Sequence, residues 1–350
     1  MLMEIREEPV ALHETLTSVA AMCKRIASEL ADEELNLVYF SGSGTSYHAA
    51  LATHYLTSSL SSIPTNSIPA SEFDSWAYTS PGRRSAVIII SQSGESADAI
   101  SALKAANRKG IRTVGITNTP NSTLAEASDL AVITRAGPEA ALTATKTFLS
   151  CLAATYLLGL EFVAASGSFT GSGEKLSILR RELEASPLIV EETIRKCEDE
   201  AQSLAGRYAG NFLFFLLGRG ASYATALEGA LKLKESCNVM AEGHASREFL
   251  HGPMQLVDER TPVIVISTKQ DYESVGLLSE SFRRLGAPIL QVSDAEPPTS
   301  HEEHLHVAPG LSEPLSPLAF IVPIQLFAYY SAVARRLDPD KPTKLIKVVK

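Results

Sequence analysis

The first half of this chain recurs in its second half. The segment Gly42-Ser43-Gly44-Thr45-Ser46-Tyr47-His48-Ala49-Ala50-Leu51 matches Gly218-Arg219-Gly220-Ala221-Ser222-Tyr223-Ala224-Thr225-Ala226-Leu227, an offset of 176 residues (218 − 42). The same offset carries Ser85–Ser91 onto Thr261–Ser267 and Gly110 onto Gly286. One α/β unit has been used twice, and the copies differ in their polar loops, so the chemistry should lie where they differ.

Each copy alternates strands and helices. In the first, residues 9–30 read as an amphipathic helix, with Leu12, Leu16, Val19, Met22 and Ile26 at helical spacing. Apolar runs at Leu35–Ser41, Ala86–Ser91, Arg112–Thr117 and Leu130–Thr134 read as buried parallel strands. Helices are expected at Tyr47–Leu60, from Ser96 to a stop at Gly110, and over Thr143–Leu160. The second copy repeats this with strands at 212–217, 263–267 and 288–292 and helices at 223–239, 272–285 and 318–335. Pro323 should kink the last helix or mark its first turn. The alternation implies α/β architecture: two tandem domains, each a doubly wound parallel sheet flanked by helices. The Gly/Ser-rich stretch Ala165–Glu174 is the expected boundary, giving domains 1–170 and 171–350, the latter with a connecting helix at 175–208 and a Lys-rich tail.

Composition narrows the function class. With 350 residues and 45% hydrophobic content the chain can bury two cores. A net charge of −9 leaves no footprint for nucleic acid. Cys23, Cys151, Cys197 and Cys237 are scattered without a C-x-x-C pair, which reads as buried thiols in a reducing compartment, the cytoplasm. The N-terminus carries charge from Glu4 onward and does not read as a signal peptide. Phe148–Ala165 is nearly long enough to span a bilayer, but Thr155, Tyr156 and Glu161 favour a core helix, so no membrane partner is expected.

In open parallel sheets, ligands bind beyond the carboxyl ends of the strands. Three polar loops are expected there in the first copy: Ser41–Ser46, Ser91-Gln92-Ser93-Gly94-Glu95-Ser96 and Thr143-Ala144-Thr145-Lys146. Short hydroxyl side chains and glycines at helix N-termini make an anion site, most simply for a phosphate monoester. A plain helix cap would explain one such loop, but three at one sheet end favour a site. Neither a P-loop nor a complete dinucleotide fingerprint is present.

In the second copy Ser91–Ser96 is replaced by Ser267-Thr268-Lys269-Gln270-Asp271-Tyr272. Instead, Glu228, Lys232 and Glu235 share one helix face where the first copy has Ala52, Leu56 and Ser59. A solvated ion pair would suffice on an isolated helix. Here the run is rich in Ala and Leu, and Glu242-Gly243-His244 and His251-Gly252-Pro253 follow closely. A carboxylate, an amine and an imidazole can open a sugar ring and move a proton between adjacent carbons. No metal-ligand spacing completes around these histidines, and His301, His304 and His306 read as a loop running into an edge strand, so no metal is expected.

These motifs carry a family resemblance. GTSY, SQSGES, ATKTF, LEGALKLKE, EFLHGP and the lysine-ended tail resemble the isomerase portion of glucosamine-6-phosphate synthase and its free-standing relatives with two sugar-isomerase (SIS) domains. The resemblance implies that Thr45, Ser46, Ser91, Gln92, Ser93 and Ser96 hold the sugar phosphate, with Thr143 in the loop beside them. It implies Glu235 as the base between C1 and C2, His251 (from a partner subunit) in ring opening, Lys232 beside the reacting carbons, Lys347 on the open-chain sugar and Glu228 in support. Ala144 replaces a serine usual in the synthase. The chain starts where the synthase has its interdomain linker, which implies a glutamine-independent reaction. The expected activity is conversion of glucosamine 6-phosphate and water to fructose 6-phosphate and ammonia, in a homodimer and with no cofactor. A deglycase of 6-phosphorylated fructosyl-amino acids and a non-catalytic sugar-phosphate-binding regulator are the alternatives.

Overall fold

The computed structural model describes residues 1–78, 84–296 and 303–347. The chain opens with α1 (Leu2–Arg6) and α2 (Glu8–Asp32), followed by β1 (Leu37–Gly42), α3 (Thr45–Ser58), β2 (Thr65–Pro69), α4 (Phe73–Trp76), β3 (Ser85–Ile90), α5 (Ala97–Arg108), β4 (Arg112–Thr117), α6 (Thr123–Ala127), β5 (Leu130–Ile133) and α7 (Lys146–Ala165). A long helix, α8 (Gly173–Arg207), leads to β6 (Leu213–Gly218), α9 (Ala221–Cys237), β7 (Met240–Ala245), β8 (Val263–Ser267), α10 (Tyr272–Arg284), β9 (Ile289–Ser293), β10 (Glu303–His306) and α11 (Pro317–Ala334).

Contacts divide the chain into two compact units. The first-copy unit comprises Val10–Glu139, Lys146–Ala185 and Ile346–Lys350; the second-copy unit comprises Met1–Pro9, Ala140–Thr145 and Ser186–Leu345. Each holds a five-stranded sheet, in the orders β2-β1-β3-β4-β5 and β7-β6-β8-β9-β10. Every pairing in both sheets is parallel. The two orders are the same topology, so the sequence repeat is a repeat of fold.

In the first-copy unit β1 and β3 are buried along their whole length, as strands covered on both faces must be. Tyr39, Phe73, Val87, Ile89 and Leu103 pack into one core on this sheet. In the second-copy unit Phe215, Leu217, Phe249, Val265 and Phe282 do the same. The entry from strand to helix explains the matched glycines. A Cβ on Gly42 would lie 2.7 Å from the Ser46 carbonyl oxygen, and one on Gly218 2.1 Å from that of Ser222. The next glycines cap the helices with matching left-handed φ, 53° at Gly44 and 56° at Gly220.

Pro323 lies inside α11, and Pro317 marks that helix's first turn. Two features depart from the sequence reading. The sequence reading missed both β2 and β7, the strands that edge each sheet beside β1 and β6. The loop Thr143–Thr145, expected at the first-copy sheet, belongs to the second-copy unit. Among the described residues, two helices, Lys146–Ala165 and Pro317–Ala334, are long and apolar enough to cross a membrane, yet 78% of each window is buried within the fold, as in a core helix.

Candidate functional site

The strand order of the first-copy sheet reverses between β1 and β3, so the crevice at their carboxyl ends is where a ligand is expected. Two of the polar loops leave the sheet at this point. The loop Ser91–Ser96 is braced from several sides. Gly94 N–H donates to the Ser91 carbonyl at 3.1 Å and lies 3.2 Å from Ser91 Oγ, and Leu124 N–H donates to the Gly94 carbonyl at 3.0 Å. Thr117 Oγ1 and Asn118 N–H donate to the Gln92 carbonyl at 3.1 and 3.0 Å. Glu95 turns away to accept from Thr123 N–H and Oγ1, both at 2.8 Å.

Ser93 Oγ accepts from Glu95 N–H at 3.2 Å, and Ser93, Ser96 and Gln92 are half-buried. Ser96 holds the N-cap position of α5 without a side-chain capping bond. That removes the simplest structural reason for a serine here, the capping of its own helix. Thr45 and Ser46, half-buried, open α3 behind Gly44. Ser91 is buried beneath the loop.

In the second-copy unit α9 carries the charged face. Lys232 Nζ lies 3.1 Å from Glu228 Oε1 and 2.9 Å from Glu235 Oε2, and donates to the Ala144 carbonyl at 3.3 Å. Two carboxylates and a main-chain carbonyl thus meet this ammonium, a group with three N–H donors. The Lys232 and Glu228 side chains are fully buried, while Glu235 keeps 18% exposure. Burial opposes the charge on Lys232, but the two carboxylates outweigh it and hold the ammonium above the usual lysine range. Lys232 is therefore a permanent cation near neutral pH and cannot act as a base or as a free amine nucleophile.

Glu235 differs from its partners in what it faces. It lines a cavity of about 330 Å³ with Leu231, Lys234, Ser236 and Asn238 of α9 and its end, and with Leu337, Asp338 and residues 341–345 of the tail. One carboxylate of the three charges thus reaches accessible space while the other two groups hold it in place.

The remaining expected residues are placed as follows. His251 is exposed at the end of a short 3-10 turn, Glu248–His251. His244 is committed elsewhere: its Nε2 lies 3.1 Å from Glu242, and its ring packs 5.3 Å from Phe249. Thr143 is buried, with its hydroxyl 3.4 Å from Ser236 Oγ in the second-copy unit. Lys347, in the first-copy unit, donates its ammonium to the Glu139 carbonyl. His304 and His306 lie on the edge strand β10, 5.6 Å apart between ring centres; His301 and Lys350 lie outside the described residues. No group of three or more metal-ligating side chains occurs among the described residues. The Ala144 carbonyl was invisible to sequence reasoning, because a main-chain acceptor leaves no residue signature.

Comparison with known proteins gives a consistent picture. The family model described as SIS domain matches residues 30–160 and 214–335. The glutamine–fructose-6-phosphate aminotransferase [isomerizing] of Methanothermobacter thermautotrophicus is 39% identical over 356 residues, covering 100% of this chain and 57% of that protein. The Aquifex aeolicus protein of the same name is 38% identical, again over 100% of this chain and 57% of its own length. The chain thus spans little more than half the length of these curated relatives. Among solved structures, the C-terminal domain of glucosamine-fructose-6-phosphate aminotransferase from Francisella tularensis superposes with a TM-score of 0.89 at 27% identity, covering 98% of each chain. Glucosamine-6-phosphate deaminase from Thermotoga maritima superposes with a TM-score of 0.75 at 25% identity, over 99% of this chain and 98% of that one.

Proposed function

Since the chain belongs to the SIS-domain family, we propose that it is an aldose–ketose isomerase of 6-phosphorylated amino sugars, converting glucosamine 6-phosphate and water to fructose 6-phosphate and ammonia. The observation that carries this reading is the α9 face: a buried Glu228–Lys232 pair holding a third charge, Glu235, at the wall of a cavity. An isomerase of this kind needs one base at adjacent carbons and a fixed positive charge nearby, and it needs no electron carrier.

The phosphate sits on Thr45, Ser46 and the Ser91–Ser96 loop, where the helix N-termini of α3 and α5 supply amide donors and a favourable dipole end. His251 helps open the ring by moving a proton between the ring oxygen and the C1 hydroxyl. The open chain then has an aldehyde at C1 and the amine at C2. Glu235 takes the C2 proton and returns it to C1, while a second proton passes from the amine nitrogen to the C1 oxygen, so that the C1 carbonyl becomes a hydroxyl and the C2 amine becomes an imine. Water adds to that imine and ammonia leaves, giving the ketose. The Lys232 ammonium stabilises the negative charge that develops between C1 and C2, and Lys347 holds the open chain. The chain acts as a cytoplasmic homodimer, with His251 contributed by the partner.

The test is to incubate the chain with glucosamine 6-phosphate and with a panel of fructosyl-amine 6-phosphates, measuring ammonia or amine release and fructose 6-phosphate. Ammonia and ketose in equal amounts from the first substrate support the reading. Turnover of the fructosyl-amines alone would make the chain a deglycase, and tight binding without turnover would make it a regulator.

A further inference from the structure

The second copy keeps the switch-point crevice of the first, between β6 and β8, but fills it with its own acids. The N-terminus of α9 corresponds to that of α3, and there Ala221 N–H donates to Glu313 Oε1 at 2.7 Å. The carboxylate lies so close that a Cβ on Gly220 would be 2.3 Å from Glu313 Oε1. In the loop after β8, Lys269 N–H donates to Asp294 Oδ1 at 2.6 Å. Lys269 is the offset counterpart of Ser93 in the proposed phosphate loop, and Asp294 that of Asn118.

The first copy turns the corresponding groups elsewhere. Asn118 is neutral, and its Oδ1 accepts from Thr134 Oγ1 at 2.9 Å and Ala136 N–H at 3.0 Å. Glu139, the acid of the loop after β5, accepts from Thr147 N–H at 3.3 Å, at the start of α7. Glu313 holds the comparable loop after β10 and points to the helix that leaves the first strand of its sheet. The two copies thus differ at two separate positions: the second has a carboxylate on a loop or helix amide, where the first has neutral Asn118 and a Glu139 that meets the start of α7.

We propose that Glu313 and Asp294 are built-in anions that take the place of phosphate in the second crevice, so that the chain holds one sugar phosphate and not two. The comparison rests on the phosphate reading of the first crevice. The chemistry is a direct substitution: a carboxylate oxygen accepts an amide N–H as a phosphate oxygen does and carries the charge the helix dipole favours. A phosphate entering the crevice would lose those donors and meet two negative charges. Partial burial also pushes the Asp294 carboxyl above the usual range although the Lys269 amide favours its anion, as expected of an acid enclosed within the fold.

The test is calorimetric titration of the full chain with inorganic phosphate, comparing wild type with the double variant Glu313→Ala, Asp294→Asn, the second change restoring the first copy's residue. The wild type should bind one phosphate per chain and the variant two, the added site being the weaker. Removing the cap should also lower the melting temperature, and formate should restore part of it in the variant while leaving the wild type unchanged. Should truncation prevent folding, Glu313→Gln with Asp294→Asn keeps the shapes and removes both charges, and should likewise admit a second phosphate. Two phosphates on the wild type, or no added site in any folded variant, would overturn the proposal. No phosphate on the wild type but one on the variant would sink the reading of the first crevice and leave this inference standing.

Discussion

Lys232 Nζ lies 2.9 Å from Glu235 on the next turn of the same helix, and its side chain has no exposure of its own. Nothing but protein compensates this charge, so the pair is held by the fold and not by solvent. Removing one member of a buried pair commonly costs about 3–5 kcal/mol, because the other is left uncompensated. Lys232→Ala leaves Glu228 fully buried without its ammonium and should destabilise the chain by about that amount, as measured by chemical denaturation. A loss below ~1 kcal/mol would mean that the pair is not buried in solution.

The same ammonium sets a pH dependence. Burial alone would lower its affinity for protons, but Glu228 and Glu235 raise it above the unfolded lysine value. A group raised on folding contributes all its stability below the unfolded pKa, about 10.4, and loses it as pH rises through the folded value. The stability gap between wild type and Lys232→Met should therefore be constant through neutral pH and shrink above about pH 10.4. A gap that shrinks instead on acidification would assign the linkage to another group.

Ser93→Ala removes one hydroxyl from the Ser91–Ser96 loop, with the bond it accepts from Glu95 N–H, but none of the backbone–backbone bonds that brace the loop. A hydrogen bond to a charged group is worth roughly 1.5–3 kcal/mol, so sugar-phosphate binding should weaken by about ten- to a hundredfold with the fold intact. Calorimetry that finds equal affinity for the sugar with and without its phosphate would remove this loop from the site.

Lys347 lies near the chain end with its ammonium on the Glu139 carbonyl, and Leu345 and Ile346 before it are exposed. Little apolar area depends on the segment, so deleting residues 344–350 should leave the melting temperature almost unchanged while abolishing turnover. Full activity after truncation would take Lys347 out of the mechanism.

The shared-site proposal predicts complementation. His251→Ala and Glu235→Gln proteins should each be inactive, and mixing them should restore part of the activity through hybrid dimers with one complete site. No recovery after subunit exchange has been verified by mass spectrometry would place both residues in one subunit's site or neither.

The buried architecture was open to sequence reasoning because burial writes a pattern. The fully buried β3 (Ser85–Ile90) and the strand Arg112–Thr117 could be bounded to within a residue or so from their apolar runs. β2, reading Thr-Asn-Ser-Ile-Pro, and β7, reading Met-Ala-Glu-Gly-His-Ala, are edge strands with partly exposed side chains, held by main-chain bonds to β1 and β6 that side-chain identity does not report. The Glu228–Lys232–Glu235 face was visible because i, i+3 and i+4 spacing is local. Glu313 on Ala221 was not, because a contact between residues this far apart in sequence depends on how the sheet is wound.

The central claim is that Glu235 carries the proton between C1 and C2. Glu235→Gln keeps the side chain's size while removing the base, so substrate should still bind. The most direct measurement is turnover of glucosamine 6-phosphate in deuterium oxide, followed by magnetic resonance of the product and the recovered substrate. The wild type should place deuterium at C1 of fructose 6-phosphate, diluted by any direct transfer from C2, and Glu235→Gln should bind the sugar phosphate yet exchange no carbon-bound hydrogen. Deuterium incorporation at an undiminished rate in Glu235→Gln would contradict the account and give the role of base to another residue.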